Sequence, residues 1–302
     1  MQDNDVTIAI PVYNEERFIA YAVQSALPQC QVLLVSDNAS TDGSFGIAET
    51  LCEDHRHARC HRQTENIGAA NNFKFLLDQA TTPYFMWLGG HDAIPDGYVA
   101  KLKQALDENK NAVLAFGAAQ HITADGKPAF VYDYFYSDSL IDDSASERVL
   151  GLVRFLSDCS LIHGIFRTDT LRKAWADEKY LGMDHVLLTK AALDGKLVYV
   201  PETHLLRRDV HSNDTPEAQL VRITGTTGDE SGKDYTGMQK QQYELASIAI
   251  GGKSLSSLFF LMKTRYYLVL RFGPFARRAS TRLLERLLCR LLSIPGRLIK
   301  SS

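Results

Sequence analysis

The strongest constraint on this chain is a regular alternation across its first 120 residues. Residues 6–12, 32–35, 84–88 and 112–116 are short, nearly continuous apolar runs, and between them residues 15–27, 44–53, 69–80 and 96–109 carry apolar side chains at helical spacing. A short run without polar alternation suits a strand buried on both faces. A helix between two such strands returns the chain so that the next strand lies parallel to the last. The pattern predicts an α/β fold built on a mostly parallel, doubly wound sheet. Ligands of such sheets bind beyond the carboxyl ends of the strands, so the polar segments that follow the strands are where chemistry is expected.

After Gln120 the pattern becomes α+β. Residues 124–127 read as a hairpin turn, 130–136 as an aromatic strand, 138–143 as an acidic loop, 146–157 as a helix, 161–166 as a strand, 183–194 as a helix and 196–200 as a further strand. Residues 215–237, rich in Thr, Gly and charge, read as a mobile loop.

The net charge of -3 conceals an asymmetry. Residues 255–302 carry ten Lys or Arg and one acid, which leaves 23 basic and 35 acidic residues in 1–254. An acidic body disfavours nucleic-acid binding, which needs clustered cations. In the tail, Leu283, Leu284, Leu287, Leu288, Leu291 and Leu292 share one side of a helix, Arg282, Arg286 and Arg290 lie on the other, and Pro295 ends it. The apolar stretch before it contains Lys263 and Arg265, so it falls short of the roughly 20 apolar residues that span a bilayer. The tail reads as a basic amphipathic helix for an anionic membrane surface; packing on the body or on another subunit is the alternative. The expected division is a body, 1–252, with halves 1–120 and 121–252, and a helical extension, 253–302. Five cysteines without a CxxC pair point to a reducing compartment, and the acidic opening residues do not resemble a signal peptide. The expected location is cytoplasmic, peripheral on the inner face of the membrane.

Two polar turns follow the first two strands: Pro11-Val12-Tyr13-Asn14-Glu15-Glu16 and Ser36-Asp37-Asn38-Ala39-Ser40-Thr41-Asp42-Gly43-Ser44. Neither is a phosphate loop, and GxGxxG and GxxxxGK[ST] are both missing, which argues against Rossmann dinucleotide binding and P-loop chemistry. Cys52, His55, His57, Cys60 and His61 are dense in potential ligands, but their spacing suits no tetrahedral zinc site and they read as a solvated connection.

These two turns, together with Asn66-Ile67-Gly68-Ala69-Ala70-Asn71-Asn72 and Trp87-Leu88-Gly89-Gly90-His91-Asp92-Ala93-Ile94-Pro95-Asp96, resemble the four ordered motifs of a family 2 glycosyltransferase with the GT-A fold. Downstream, Gly164-Ile165-Phe166-Arg167 is similar to the family's acceptor-side strand, and Met183-Asp184-His185 occupies the place of its ED motif. The resemblance implies inverting transfer of a sugar from a nucleotide-diphosphate-sugar donor, a UDP-sugar, to a glycan or lipid-linked acceptor. It implies that Pro11, Tyr13, Glu15, Asp37, Asn66, Asn71, Asp92, Arg207 and Arg208 bind the donor and that Asp184 is the general base; read alone, Asp184 is a helix N-cap. In the DxD region Gly89 and His91 stand where the family carries acids. Asp92, His91 and His211 could still hold one Mn²⁺ or Mg²⁺ ion, or Arg207, Arg208 and His211 could neutralise the leaving group without metal. Two rivals remain: a catalytically silent nucleotide-sugar-binding partner, and a sugar nucleotidyltransferase, which needs a glycine-rich phosphate loop not found after the first strand.

If the tail docks on anionic lipid, deleting residues 255–302 will abolish cosedimentation with anionic liposomes; unchanged binding would remove the membrane assignment.

Overall fold

The computed structural model describes residues 5–135, 137–177, 179, 181–210, 215–225, 236–250, 264 and 267. The chain divides into two units, Met1–Gly251 and Gly252–Ser302. Of the second, only residues 264 and 267 are described, so the expected tail helix lies outside the described residues, as does His211. Among the described residues, no helix is long and apolar enough to cross a membrane.

The first half runs β1 (Val6–Val12), α1 (Ile19–Ala26), β2 (Val32–Asp37), α2 (Ser44–Cys52), β3 (Ala58–Arg62), α3 (Ala69–Asp78), β4 (Tyr84–Trp87) and α4 (Tyr98–Glu108). The second runs β5 (Ala112–Ile122), β6 (Pro128–Tyr132), α5 (Ser137–Leu140), α6 (Ala145–Phe155), β7 (Ile165–Arg167), α7 (Thr168–Ala174), α8 (Met183–Asp194), β8 (Lys196–Arg208), α9 (Pro216–Thr224) and α10 (Thr236–Ile250). The strands form one sheet in the order β3-β2-β1-β4-β7-β5-β6, with β8 also paired to β5. Pairs β1·β2, β1·β4, β2·β3 and β5·β8 are parallel, and β7 and β6 run the other way.

Burial follows the pattern that the apolar runs predict. Val6, Ile8, Ile10, Leu33, Phe85, Met86 and Trp87 are buried, as inner strands covered on both faces must be. Helix α1 buries Ile19, Ala22, Val23 and Ala26, one stripe at helical spacing. Trp87 anchors the layer on the other side, with Phe73, Phe85, Phe166 and Trp175 around it at centroid separations of 5.0–6.4 Å.

Several boundaries differ from expectation, each for a physical reason. The first helix begins at Ile19 instead of residue 15, because Asn14 adopts φ 57° and the Glu15 carbonyl accepts from Phe18 N and Ile19 N in a turn. Cys60 and His61 lie in edge strand β3, whose largely polar sequence Ala58-Arg59-Cys60-His61-Arg62 hides it. The acidic segment starts with short α5, and the strand expected over 161–166 is only β7, preceded by a 3-10 turn over Ser160–His163. Residues 215–237 contain α9, capped by Thr215 Oγ1 accepting from Ala218 N at 3.2 Å with Pro216 in the first turn. Strand β8 continues eight residues past Val200. Its register against β5 jumps between Gly117 and Ala118, where Pro201, Glu202 and Thr203 bulge out and Thr203 O crowds the space above Gly117. That bulge carries the end of β8 to the carboxyl edge of the sheet.

Gly68, before α3, has φ 79°, and a Cβ there would stand 2.4 Å from the Thr224 carbonyl carbon at the end of α9. Gly68→Ala will therefore destabilise the protein by about 1–3 kcal/mol in denaturant unfolding. Gly46→Ala, in the open face of α2, will be neutral or stabilising.

Candidate active site

The β1 and β2 turns interlock into one wall beyond the parallel strands. Asn14 N donates to Ser40 Oγ (2.9 Å), Glu15 N to Ser44 Oγ (2.7 Å) and Glu16 N to Asp42 Oδ2 (3.1 Å), while Asn14 Oδ1 accepts from Thr41 N (2.9 Å). These bonds hold Asn14 and Ala39 at positive φ, an expensive conformation that persists only when its surroundings fix it. Burial is the largest single influence on Asp42 and opposes its charge, but the Ser44 hydroxyl and the neighbouring backbone N–H groups together outweigh it and draw its pKa down.

Asp37 closes β2 and is 1% exposed. Its Oδ2 accepts from Ser40 N (3.0 Å) and lies 3.5 Å from Arg62 Nε, while its buried Oδ1 has no hydrogen-bond partner among the described residues. Such an atom costs about 1–3 kcal/mol, which marks Asp37 as a residue awaiting a donor. Arg62, missed by sequence reasoning because β3 was not recognised, also donates to Ser40 O (2.9 Å) and covers the Phe45 ring. The two expected asparagines serve the loop itself: Asn66 Oδ1 accepts from Asn38 Nδ2 (2.8 Å) and Gly68 N (2.9 Å), and Asn71 Nδ2 donates to Ile67 O (2.7 Å). Buried Asn72 exchanges two bonds with Ser36, and its amide on the sheet-facing side of α3 was the overlooked signal. Pro11 is half-buried in β1 and Tyr13 is 43% exposed at the mouth.

Beyond β4, Glu15, His91 and Asp92 converge. His91 Nδ1 is 2.7 Å from Glu15 Oε1, and its Nε2 is 3.9 Å from Asp92 Oδ1. Burial opposes charge on His91, but the Glu15 hydrogen bond and the Asp92 and Glu15 carboxylates outweigh it and raise its pKa. Asp92 is 2% exposed; its Oδ1 accepts from Arg208 N (2.8 Å), and its Oδ2 would lie 2.6 Å from a Cβ at Gly89. The Asp92 carboxylate thus fills the space that a side chain at 89 would enter. The donor set fits one divalent ion: a ligating imidazole normally has its other nitrogen held by a carboxylate, the relation Glu15 has to His91, and Asp92 supplies a hard oxygen beside it.

Arg207 and Arg208, adjacent in β8, part company. Arg208 is buried, its guanidinium donating to the carbonyls of His91, Thr123 and Ala124 (2.9–3.1 Å) and lying over Phe18, so it braces the site's backbone. Arg207 pairs with Asp158 (3.4 Å) and Ser160 and lies within electrostatic reach of Asp92 and Cys159. On that side the Cys159 thiol hydrogen-bonds Asp184, in the first turn of α8. Asp184 Oδ1 accepts from His185 N at 2.9 Å. The structure brings Asp92, Arg207, Asp158, Cys159 and Asp184 into one sequence of neighbours. His121, not foreseen from the sequence, bridges Asp158 Oδ2 (2.9 Å) and Asp209 Oδ1 (3.0 Å) and stacks on Phe130. Burial resists its charge, yet the two carboxylates raise its pKa. Against its own burial, Asp158 is held well below the usual carboxylate range by His121 and Arg207. In the Cys- and His-dense segment 52–61, read from the sequence as a solvated connection, His57 bonds Leu27 O and His61 packs on Phe75.

The family model described as Glycosyl transferase family 2 matches residues 7–181, more than half of the chain. An uncharacterized glycosyltransferase of Rickettsia bellii is 26% identical over 164 residues, 52% of this chain and 23% of its own length. The teichoic acid poly(glycerol phosphate) polymerase of Staphylococcus epidermidis is 25% identical over 179 residues, 56% and 23% of the two chains. The chain thus spans about a quarter of the length of these curated relatives. Among solved structures, S. aureus TarS 1-349 in complex with UDP-GlcNAc matches with TM-score 0.63 at 15% identity, covering 93% of this chain and 77% of that one. The mannosyltransferase PcManGT of Pyrobaculum calidifontis, in complex with GDP-Man and Mn²⁺, matches with TM-score 0.51 at 15% identity, covering 96% and 81%. These structural likenesses show the GT-A fold.

The His121 clamp predicts a pH signature. A raised histidine pKa stabilises fully below the unfolded value of about 6.5 and is lost as pH climbs through the folded value. The depressed Asp158 stabilises above about 3.9 and is lost as pH falls. His121→Phe will therefore cost about 1.5–3 kcal/mol at pH 6, and less at pH 9, by thermal unfolding. Equal losses at both would mean that the imidazole is not held charged.

Proposed function

This chain belongs to glycosyl transferase family 2, and we propose that it moves a sugar from a UDP-sugar to a glycan or lipid-linked acceptor, inverting the anomeric centre. The observation that carries the proposal is Arg207, placed between the donor-side Asp92 and the acceptor-side group of Asp158, Cys159 and Asp184. The Asp37 pocket, with its unpartnered Oδ1, suits a base N–H, and the interlocked β1 and β2 turns frame the nucleotide. The complexes of TarS with UDP-GlcNAc and of PcManGT with GDP-Man support a nucleotide-sugar donor, and the teichoic acid relatives support an envelope polysaccharide as the product class.

In this reading Asp184 takes the acceptor hydroxyl's proton as the oxygen attacks the anomeric carbon, with the Cys159 thiol and the backbone of α8 fixing the carboxylate. Arg207 faces the departing diphosphate and offsets its charge, and the strained, interlocked turns hold the donor without reorganisation. A divalent ion, Mn²⁺ or Mg²⁺, would be held by Asp92 and His91, His211 being the third candidate, and when bound supplies charge neutralisation to the leaving group. Arg208 acts through backbone alone. We assign the basic extension 255–302 to the cytoplasmic membrane surface, where a lipid-linked acceptor is concentrated.

A silent nucleotide-sugar-binding partner is the rival that Gly89 motivates, although Asp92 refills that space. Incubation with a donor and acceptor panel, with and without Mn²⁺, separates the two. Asp184→Asn is expected to lower kcat by about 10²–10⁴-fold with donor Kd unchanged within about twofold. Loss of donor binding in that variant would overturn the assignment of the base.

A further inference from the structure

We infer that Cys159, Asp184 and His185 form a second cation site on the acceptor side, softer than the donor-side pair, which takes Zn²⁺ and silences transfer by occupying the base. Each of the three residues offers a ligand atom, a sulfur, a carboxylate oxygen and an imidazole nitrogen, and all three atoms lie within 4.8 Å of one another. Among the described residues, no other group of three such side chains is so arranged. Around a tetrahedral ion with bonds of about 2.0–2.3 Å, ligand atoms stand closer than this, so modest rotation of the side chains closes the site.

The local backbone makes the convergence possible. Asp184 and His185 are consecutive in the first turn of α8, where outward-pointing neighbours would diverge. Asp184 Oδ1 instead folds back to accept from His185 N (2.9 Å), which brings the carboxylate over its neighbour, while the loop before the Ser160–His163 turn delivers the Cys159 sulfur to the same carboxylate. Cys159 and Asp184 are half-buried and His185 is buried, so the cluster is sheltered but open on one side.

Donor chemistry selects the ion. Thiolate with imidazole is a set for zinc or cobalt, not for Mg²⁺, whereas Asp92 with His91 suits Mn²⁺. Without metal, burial and the neighbouring Asp184 keep the thiol protonated. On binding, that proton leaves to solvent and an S–Zn bond takes its place, so no redox partner is needed. Thiolate and carboxylate together bring two negative charges to the dication, and Asp158 offsets the neighbouring Arg207. Once Asp184 ligates zinc, the dication withdraws charge from its carboxylate and makes it too weak a base to take the acceptor proton. The silencing therefore rests on the assignment of Asp184 as base, and the metal site does not.

Cobalt separates the two claims, because a thiolate–Co²⁺ bond produces a charge-transfer absorbance that activity does not influence. Titrating the full chain with Co²⁺ is expected to give one such band per chain, weakened at least tenfold in affinity by Cys159→Ser and by His185→Gln and unaffected by Cys60→Ser. In assays at saturating Mn²⁺, Zn²⁺ is expected to reduce wild-type turnover at least tenfold, and Cys159→Ser, normalised to its own zinc-free rate, to resist it. No band in the folded wild type, or a band that survives in both Cys159→Ser and His185→Gln, would overturn the site. A Cys159-dependent band with no zinc effect on turnover would overturn the silencing and the role of Asp184 as base, while leaving the site in place.

Discussion

Much of this site hangs on the burial of one guanidinium. Arg208, 8% exposed, donates to three backbone carbonyls from two segments, the β4 turn and the β5–β6 hairpin, while its own N–H is accepted by Asp92 and its face rests on Phe18. Burying such a charge is tolerable only when its N–H groups are satisfied, and here they also fasten the end of β8 to the end of β4. With that fastening, the donor-side wall and the acceptor half meet at a fixed distance. An alanine at 208 would keep the backbone N–H that serves Asp92 but would leave the carbonyls of His91, Thr123 and Ala124 without their guanidinium donors.

From this brace the electrostatic plan follows. Successive residues of a strand face opposite sides, so when Arg208 turns inward Arg207 must turn toward Asp158. Asp158 is in turn held ionised by His121, which leans on Asp209. Glu15, His91 and Asp92 make a similar alternation of sign on the donor side. Each buried charge is neighboured by its opposite. Arg207 lies between the two groups as a positive charge in an otherwise acidic body.

The missing acid at Gly89 takes on a different meaning in three dimensions. On paper it is a lost ligand; in space, a Cβ at 89 would stand only 2.6 Å from Asp92 Oδ2, so the glycine makes room for the carboxylate that remains. The asparagines add what the motif does not show: Asn66 and Asn71 hydrogen-bond Gly68 N–H and the Ile67 carbonyl of their own loop, while Asn72 secures α3 to β2 from inside. The start of α9 was legible in Thr215 and Pro216, yet the absence of apolar periodicity around it pointed to a loop.

The amino-acid sequence by itself determined the parallel core and the interlocking turns. Hydrophobic period and cap chemistry act over a few residues, and Ile8, Leu33 and Met86 have no favourable place except inside. Tertiary structure decided which side chains of the site meet. The Asp92–Arg208 bond spans 116 residues and the His121–Asp209 bond 88. Both depend on a bulge at Pro201 that sets which of two consecutive arginines turns inward, and no local pattern encodes that choice. Pairing over such separations is selected by the packing of the whole sheet, so the chemistry of the site emerged only when the sheet closed.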